Sequence, residues 1–147
     1  NNNIPVKGTA TKGGYEGFIA ITSLQAEGIS TKPTMRGTDQ VTFSMPVSTA
    51  SADLKRALFR GVALPRCEFT ILSANNQDQI LCKIKLEDIY VNSCSDEVGA
   101  NGVLYTSVVL SASRIGWAYF GPGNAGPNTI IRKFGWDTMK NGEWPVY

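Results

Sequence analysis

The sequence predicts a mainly β, single-domain fold with one short α-helix. Three observations carry this. Apolar residues recur at a spacing of two along several stretches, as on strands that bury one face. Breaks rich in Gly and Pro separate those stretches at short intervals. Only Ser51–Gly61 has the three- and four-residue apolar spacing of a helix. A chain of 147 residues fits one domain with a core of its own. Many short strands on such a chain suggest a closed barrel or sandwich, because open edges invite uncontrolled pairing.

The elements follow in order. Ile4–Lys7 reads as a short first strand ending at Gly8. Gly13–Ile21 then runs Gly-Gly-Tyr-Glu-Gly-Phe-Ile-Ala-Ile, and a strand is expected from Tyr15 to about Ala26. Its apolar residues fall on both faces, with Tyr15, Ile19 and Ile21 on one and Phe18 and Ala20 on the other. A strand apolar on both faces needs cover on both. Glu27–Asp39 contains Gly28, Pro33 and Gly37 and reads as a loop. Val41–Val47 alternates cleanly, and Pro46 belongs at a strand end or edge because it lacks an N–H.

The helix over Ser51–Gly61 is expected to be capped by Ser51, with Arg60 at the negative end of the dipole and Gly61 left-handed just beyond it. Leu54, Ala57 and Leu58 form its buried stripe, and Lys55, Arg56 and Arg60 a basic, solvated flank. Such a helix is too short to hold alone, so it must pack on the β-structure. Cys67, Phe69 and Ile71, then Ile80, Cys82, Ile84 and Leu86, make a hairpin around the polar turn Ala74–Asp78. The apolar parity changes at Ile89 and Val91, which predicts a bulge near Glu87-Asp88. Asp96–Gly102 reads as a polar loop, Val103–Ser113 as a long strand, and Ile115, Trp117 and Tyr119 as its core-facing continuation beyond a kink near Gly116. The loop Gly121–Asn128, a last strand Thr129–Asp137 and a polar tail complete roughly seven to nine strands.

Composition excludes several function classes. The net charge of +2 is too small to imply a nucleic-acid or membrane partner. No apolar run approaches the ~20 residues of a membrane helix, and Asn1-Asn2-Asn3 lacks the pattern of a signal peptide. Histidine is absent, which removes His-activated nucleophiles and the commonest metal ligand. Cys67, Cys82 and Cys94 lack paired spacing and read as buried free thiols. Gly121–Gly126 spells G-x-G-x-x-G, but Pro127 and β-branched residues follow where a helix must open, so it reads as a hairpin loop. Glu87-Asp88 and Asp96-Glu97 are neighbours whose side chains point apart, the wrong arrangement for an acid–base pair. No cofactor, metal site or catalytic residue is expected, and no enzymatic role.

Several stretches together resemble the haemolysin-coregulated protein (Hcp) family, the tube protein of bacterial type VI secretion. Gly14-Tyr15-Glu16-Gly17-Phe18-Ile19 resembles the family's Gly-Tyr-Glu-Gly-Trp-Ile, with Phe18 where Trp is usual. Ser51–Leu58 resembles its capped helix, and Ile84–Asp88 one of its strands. Ser107–Tyr119 resembles its strand with Lys-Ile-x-Trp-x-Tyr, here with Arg114 for Lys and with Gly116 where a charge is common. Gly135-Trp136-Asp137 with Lys140-Asn141 resembles its C-terminal segment. The pieces run in the same order over residues 13–141, leaving 1–12 and 142–147 peripheral to a single tube domain over 1–147.

The resemblance implies a β-barrel of two antiparallel sheets with the helix on its side. It implies a homohexameric ring, and rings stacked into a hollow tube. Further implied partners are a spike protein, a contractile sheath with its baseplate, and small effectors in the lumen. The protein would wait in the bacterial cytoplasm and leave without a signal peptide, with no nucleic-acid partner and no membrane insertion. On this reading Tyr15, Phe18, Ile19 and Ile21 belong to the ring interface, and Thr31, Lys32, Arg36 and Asp39 to the loop that meets the next ring. A phage tail-tube protein is the nearest alternative; a monomeric carbohydrate-binding module using Trp136 or Trp144 is another.

Overall fold

Among the described residues seven strands and one helix follow one another in the order β1 (Ser23–Ile29), β2 (Thr38–Pro46), α1 (Thr49–Arg60), β3 (Leu64–Leu72), β4 (Ile80–Val98), β5 (Leu104–Gly123), β6 (Gly126–Asp137) and β7 (Gly142–Glu143). The computed structural model describes residues 18–21, 23–29, 38–73, 79–123 and 126–147. The expected strand Ile4–Lys7, the polar turn 74–78 and most of the loop 27–39 lie outside them.

The strands pair in the order β1-β2-β5-β4-β3, with β6 on β5 and β7 on β6. The expected two sheets are therefore one pairing network, and it is not closed: β1 and β3 stand at its ends with no pairing between them among the described residues. Two long strands link the pairings: β4 runs 19 residues and β5 runs 20, each continuing as one strand past the positions where the sequence suggests a bulge and a kink. The ladders β2–β5, β3–β4, β5–β6 and β6–β7 are all antiparallel.

The chain forms two compact units: residues up to Gly28 with Gln40–Ala63 and Tyr90–Ser111, and Ile29–Asp39 with Leu64–Ile89 and Ala112–Tyr147. In the first, Val41, Phe43 and Met45 of β2 sit opposite Leu110, Val108 and Thr106 of β5, and all six are buried. Ala50 and Leu54 of α1 and Val91 of β4 add to this core. Each large side chain buried there contributes ~1.5–3 kcal/mol.

α1 starts earlier than its apolar stripe suggests. Ser48, not Ser51, is the N-cap: its Oγ accepts from Ala50 N at 3.2 Å. Ser51 is the third helical residue, and its Oγ accepts from Ser48 N at 3.1 Å, a reciprocal cap. The C-terminus is as expected. Gly61 takes φ 63°, its N–H bonds Leu58 O, and Val62 N bonds Ala57 O, which stops the helix.

The opening strand is displaced. Phe18–Ile21 are not in a strand, and β1 runs from Ser23 through Gly28 to Ile29. Gly28 lies one residue from the end of β1, outside the strand interior where glycine weakens a strand most. β2 likewise begins at Thr38, so Asp39 is a strand residue rather than a loop one.

In the second unit, β3 and β4 form the expected hairpin, with Phe69 opposite Ile84 and Cys67 opposite Leu86. The parity step also occurs where expected. Cys82, Ile84 and Leu86 are buried, then Ile89 and Val91. The pairs Arg66↔Glu87 and Leu64↔Ile89 keep one register, so the step is made by Asp88 turning to φ 53° rather than by an inserted residue on that ladder. β6 lies along β5 with Gly116 opposite Gly135 and Trp117 opposite Phe134. Ile115 and Ala118 are fully buried, but Tyr119 is half exposed, so the core-facing run Ile115-Trp117-Tyr119 holds only at its first residue.

Candidate functional site

Polar side chains gather at one place in the first unit, and there they serve as a fastener. The Ser51 and Thr106 hydroxyls lie 2.9 Å apart, and Thr106 Oγ1 lies 3.0 Å from Asp96 Oδ1. A carboxylate only accepts, so Thr106 gives its proton to Asp96 and Ser51 gives its own to Thr106. Lys55 Nζ pairs with Asp96 Oδ2. These hydrogen bonds, first that of Lys55 and then that of Thr106, hold the Asp96 carboxyl below its ordinary pKa. Ser51 and Thr106 are buried and every proton is placed, so no hydroxyl is left activated as a nucleophile.

The thiols are equally inert. Burial, helped by the Glu68 carboxylate, pushes Cys67 up to about 12. Burial also raises Cys82 and Cys94, the latter against the pull of Lys55. None supplies a thiolate near neutrality. Among the described residues no three His, Cys, Asp or Glu side chains gather as metal ligands.

The features that ask for a partner are apolar. Ile130, Ile131 and Phe134 of β6 are exposed, on both parities of the strand. Beyond β5, β6 pairs only through Trp136 and Asp137 with β7, so the stretch between carries an open edge among the described residues. Trp117, Phe134 and Trp136 stack in sequence with ring centres 6.2 Å apart. Trp136 is thus packed, as its place in the strand suggests. Ile130–Lys133 border an open cleft of about 380 Å³. In the first unit Val47, Val98, Val103 and Leu104 are exposed around the β4–β5 turn. Beside that turn an open groove of about 310 Å³ is lined by Ser23, Ser44, Glu97, Gly99, Tyr105 and Ser107.

The C-terminal residues close over the opposite side of the β5–β6 pair. A Cβ on Gly116 would overlap Val146, and one on Gly135 the Trp144 carbonyl oxygen. Gly116 is therefore a site of close approach. Trp144 N donates to Gly135 O at 2.8 Å, and Arg114 lies 5.7 Å from the Trp144 ring centre. Lys85 lies 5.9 Å from the Tyr147 ring centre, and Lys133 Nζ donates to Tyr147 O at 2.8 Å. Burial, then the charge of Glu68, pushes the Tyr147 phenol above its ordinary pKa. Arg114 also bridges Glu87 and Asp88, each at 3.0 Å, which anchors the turned Asp88. Sequence reasoning missed this strap; its only sign was two glycines inside strands.

Of the residues assigned to the ring interface, Phe18 is half exposed, Ile19 and Ile21 are partly buried, and Tyr15 lies outside the described residues. Of those assigned to stacking, Asp39 is placed by its backbone in β2, and Thr31, Lys32 and Arg36 lie outside.

Among the described residues the chain is an antiparallel, mainly β protein with one helix and with apolar strand residues left exposed. Comparison with known proteins gives the particular family. The model of the type VI secretion system effector Hcp matches residues 2–119, and the chain belongs to the Hcp family. Among curated proteins no sequence matches significantly. Solved structures share the fold. A type six secretion system protein is 18% identical, with 95% of this chain and 94% of that one covered and a TM-score of 0.79. Hcp1 from Salmonella typhimurium is 18% identical over 95% and 93%, with a TM-score of 0.78. Hcp1 from E. coli EAEC 042 is 22% identical over 87% of each chain, with a TM-score of 0.69. No helix among the described residues is long and apolar enough to cross a membrane.

Proposed function

We propose that this protein is the structural subunit of a type VI secretion tube: a single tube domain that forms homohexameric rings, which stack into a hollow cylinder. The observation that carries the reading is the open β6 edge, where Ile130, Ile131 and Phe134 are exposed on both faces of one strand. A monomer has no use for such a surface, and a repeated neighbour covers it. Family membership supplies the machine. The tube waits in the cytoplasm, is expelled with a spike by a contractile sheath on its baseplate, and carries small effectors in its lumen. The role is mechanical and needs no cofactor.

Tyr15, Phe18, Ile19 and Ile21 contribute to the ring contact, and Thr31, Lys32, Arg36 and Asp39 to the contact between rings. Negative-stain images and light scattering test this directly. Hollow rings with a mass several times the 15.9 kDa of the chain are expected, and Ile19→Lys should abolish them. A protein that stays monomeric at high concentration overturns the reading.

A further inference from the structure

We infer that the groove around Glu97 is the socket for Arg132 of the next copy in the ring. The inference rests on the tube reading, because it names which two surfaces of the subunit meet. Ring closure by a head-to-tail contact needs two different, complementary patches on each chain.

The described residues offer one such pair. On β6, Arg132 is exposed opposite Tyr119 in the β5–β6 register, just beyond the register shift that leaves Ile131 unpaired, with exposed Ile131 and Phe134 close to it in the strand. No carboxylate pairs with it among the described residues. Its neighbour Lys133 is already held by the Tyr147 carbonyl. In the other unit, Glu97 is exposed on the wall of the groove with Ser23, Ser44, Tyr105 and Ser107. Its neighbour Asp96 is satisfied by Lys55 and Thr106, whereas Glu97 has no cation among the described residues.

The chemistry of the two patches matches. A guanidinium is planar, carries five donors and stacks on aromatic faces. The groove offers the Glu97 carboxylate, the Ser23 and Ser107 hydroxyl oxygens and the Tyr105 ring. Exposed Val98 and Val103 stand at the turn beside it and meet the apolar side chains that flank Arg132. The arrangement is an apolar contact with one ion pair set into it, which fixes partner and register more than it adds affinity.

Charge reversal tests the pairing. Arg132→Glu and Glu97→Arg are each made alone, and then together. Assembly is followed by light scattering over a concentration series and by imaging. Both sites are exposed, and circular dichroism with urea midpoints checks that each variant folds. Each single reversal sets like charges face to face and is expected to raise the concentration needed for rings at least ~10-fold. The double reversal is expected to restore it. Single reversals that assemble like the wild type, or a folded double variant that does not recover, overturn the pairing and give the groove another occupant. Variants that keep single rings but lose stacks overturn its placement within the ring. In all these cases the tube reading stands. Only a wild-type protein that never leaves 15.9 kDa removes both.

Discussion

Gly135→Ala is a sharp test of the C-terminal strap. The added methyl would overlap the Trp144 carbonyl oxygen, a backbone atom that no rotamer change can move. Overpacking of this kind costs ~1–3 kcal/mol. The cost also has a ceiling, because the strap can let go instead. Letting go forfeits the hydrogen bond from Trp144 N to Gly135 O, worth ~1 kcal/mol. It also forfeits the Arg114–Trp144 and Lys85–Tyr147 contacts, each worth ~0.5–1 kcal/mol. The loss should therefore fall at ~2–3 kcal/mol and must not exceed that of deleting residues 144–147. In urea that is a midpoint shift of about 1 M, and Trp144 emission should move toward that of a solvated indole. Gly116→Ala differs, because there the obstacle is a side chain, so Val146→Ala should recover part of the loss. A Gly135→Ala protein less stable than the truncated one, or one whose Trp144 stays buried, refutes this account.

Two other outcomes follow from the polar fastener. Thr106→Val keeps the shape but leaves the Ser51 proton without its acceptor in a buried site, and should cost ~1–3 kcal/mol by urea unfolding; a loss under ~0.5 kcal/mol would show that the relay is incidental. Asp96 governs an acid limb. Its folded pKa lies below the ordinary 3.8, so its contribution is complete above that value and fades as pH falls from 3.8 toward the lowered one. Asp96→Asn should flatten the stability–pH curve across that window, and an unchanged slope would place the acid sensitivity elsewhere.

Where one face was buried and one wet, the sequence was easily read. Val41, Phe43 and Met45 alternate and are buried; Gly61 ends the helix in the left-handed form. The misplacements have physical causes. Ser48 and Ser51 are equally good caps, and Ala50, four residues before Leu54 and buried with it, extends the stripe by a single methyl, a weak periodic signal for the first turn of α1. Residues 18–21 are apolar at every position, a pattern that burial alone does not convert into a strand. Gly116 reads as a bend in isolation; that Val146 lies against it is a tertiary fact with no local trace. The same holds for the candidate surface. β6 is recognisable as a strand, but adjacent Ile130 and Ile131 break alternation, and only the missing neighbour in the ladder shows that both are exposed.

The grip on α1 also fixes its roll. Ser51 and Lys55 are four residues apart and so lie on one face, one turn above the other. Both reach Asp96, one through Thr106 and one directly. A helix held at a single point can pivot and turn about its axis. Held at two points a turn apart, it can do neither. The roll of α1 is therefore set, and Phe59, four residues beyond Lys55 along the same face and 87% exposed, is presented in one direction. If the subunit repeats as proposed, that constancy gives every copy the same mark at the same angle.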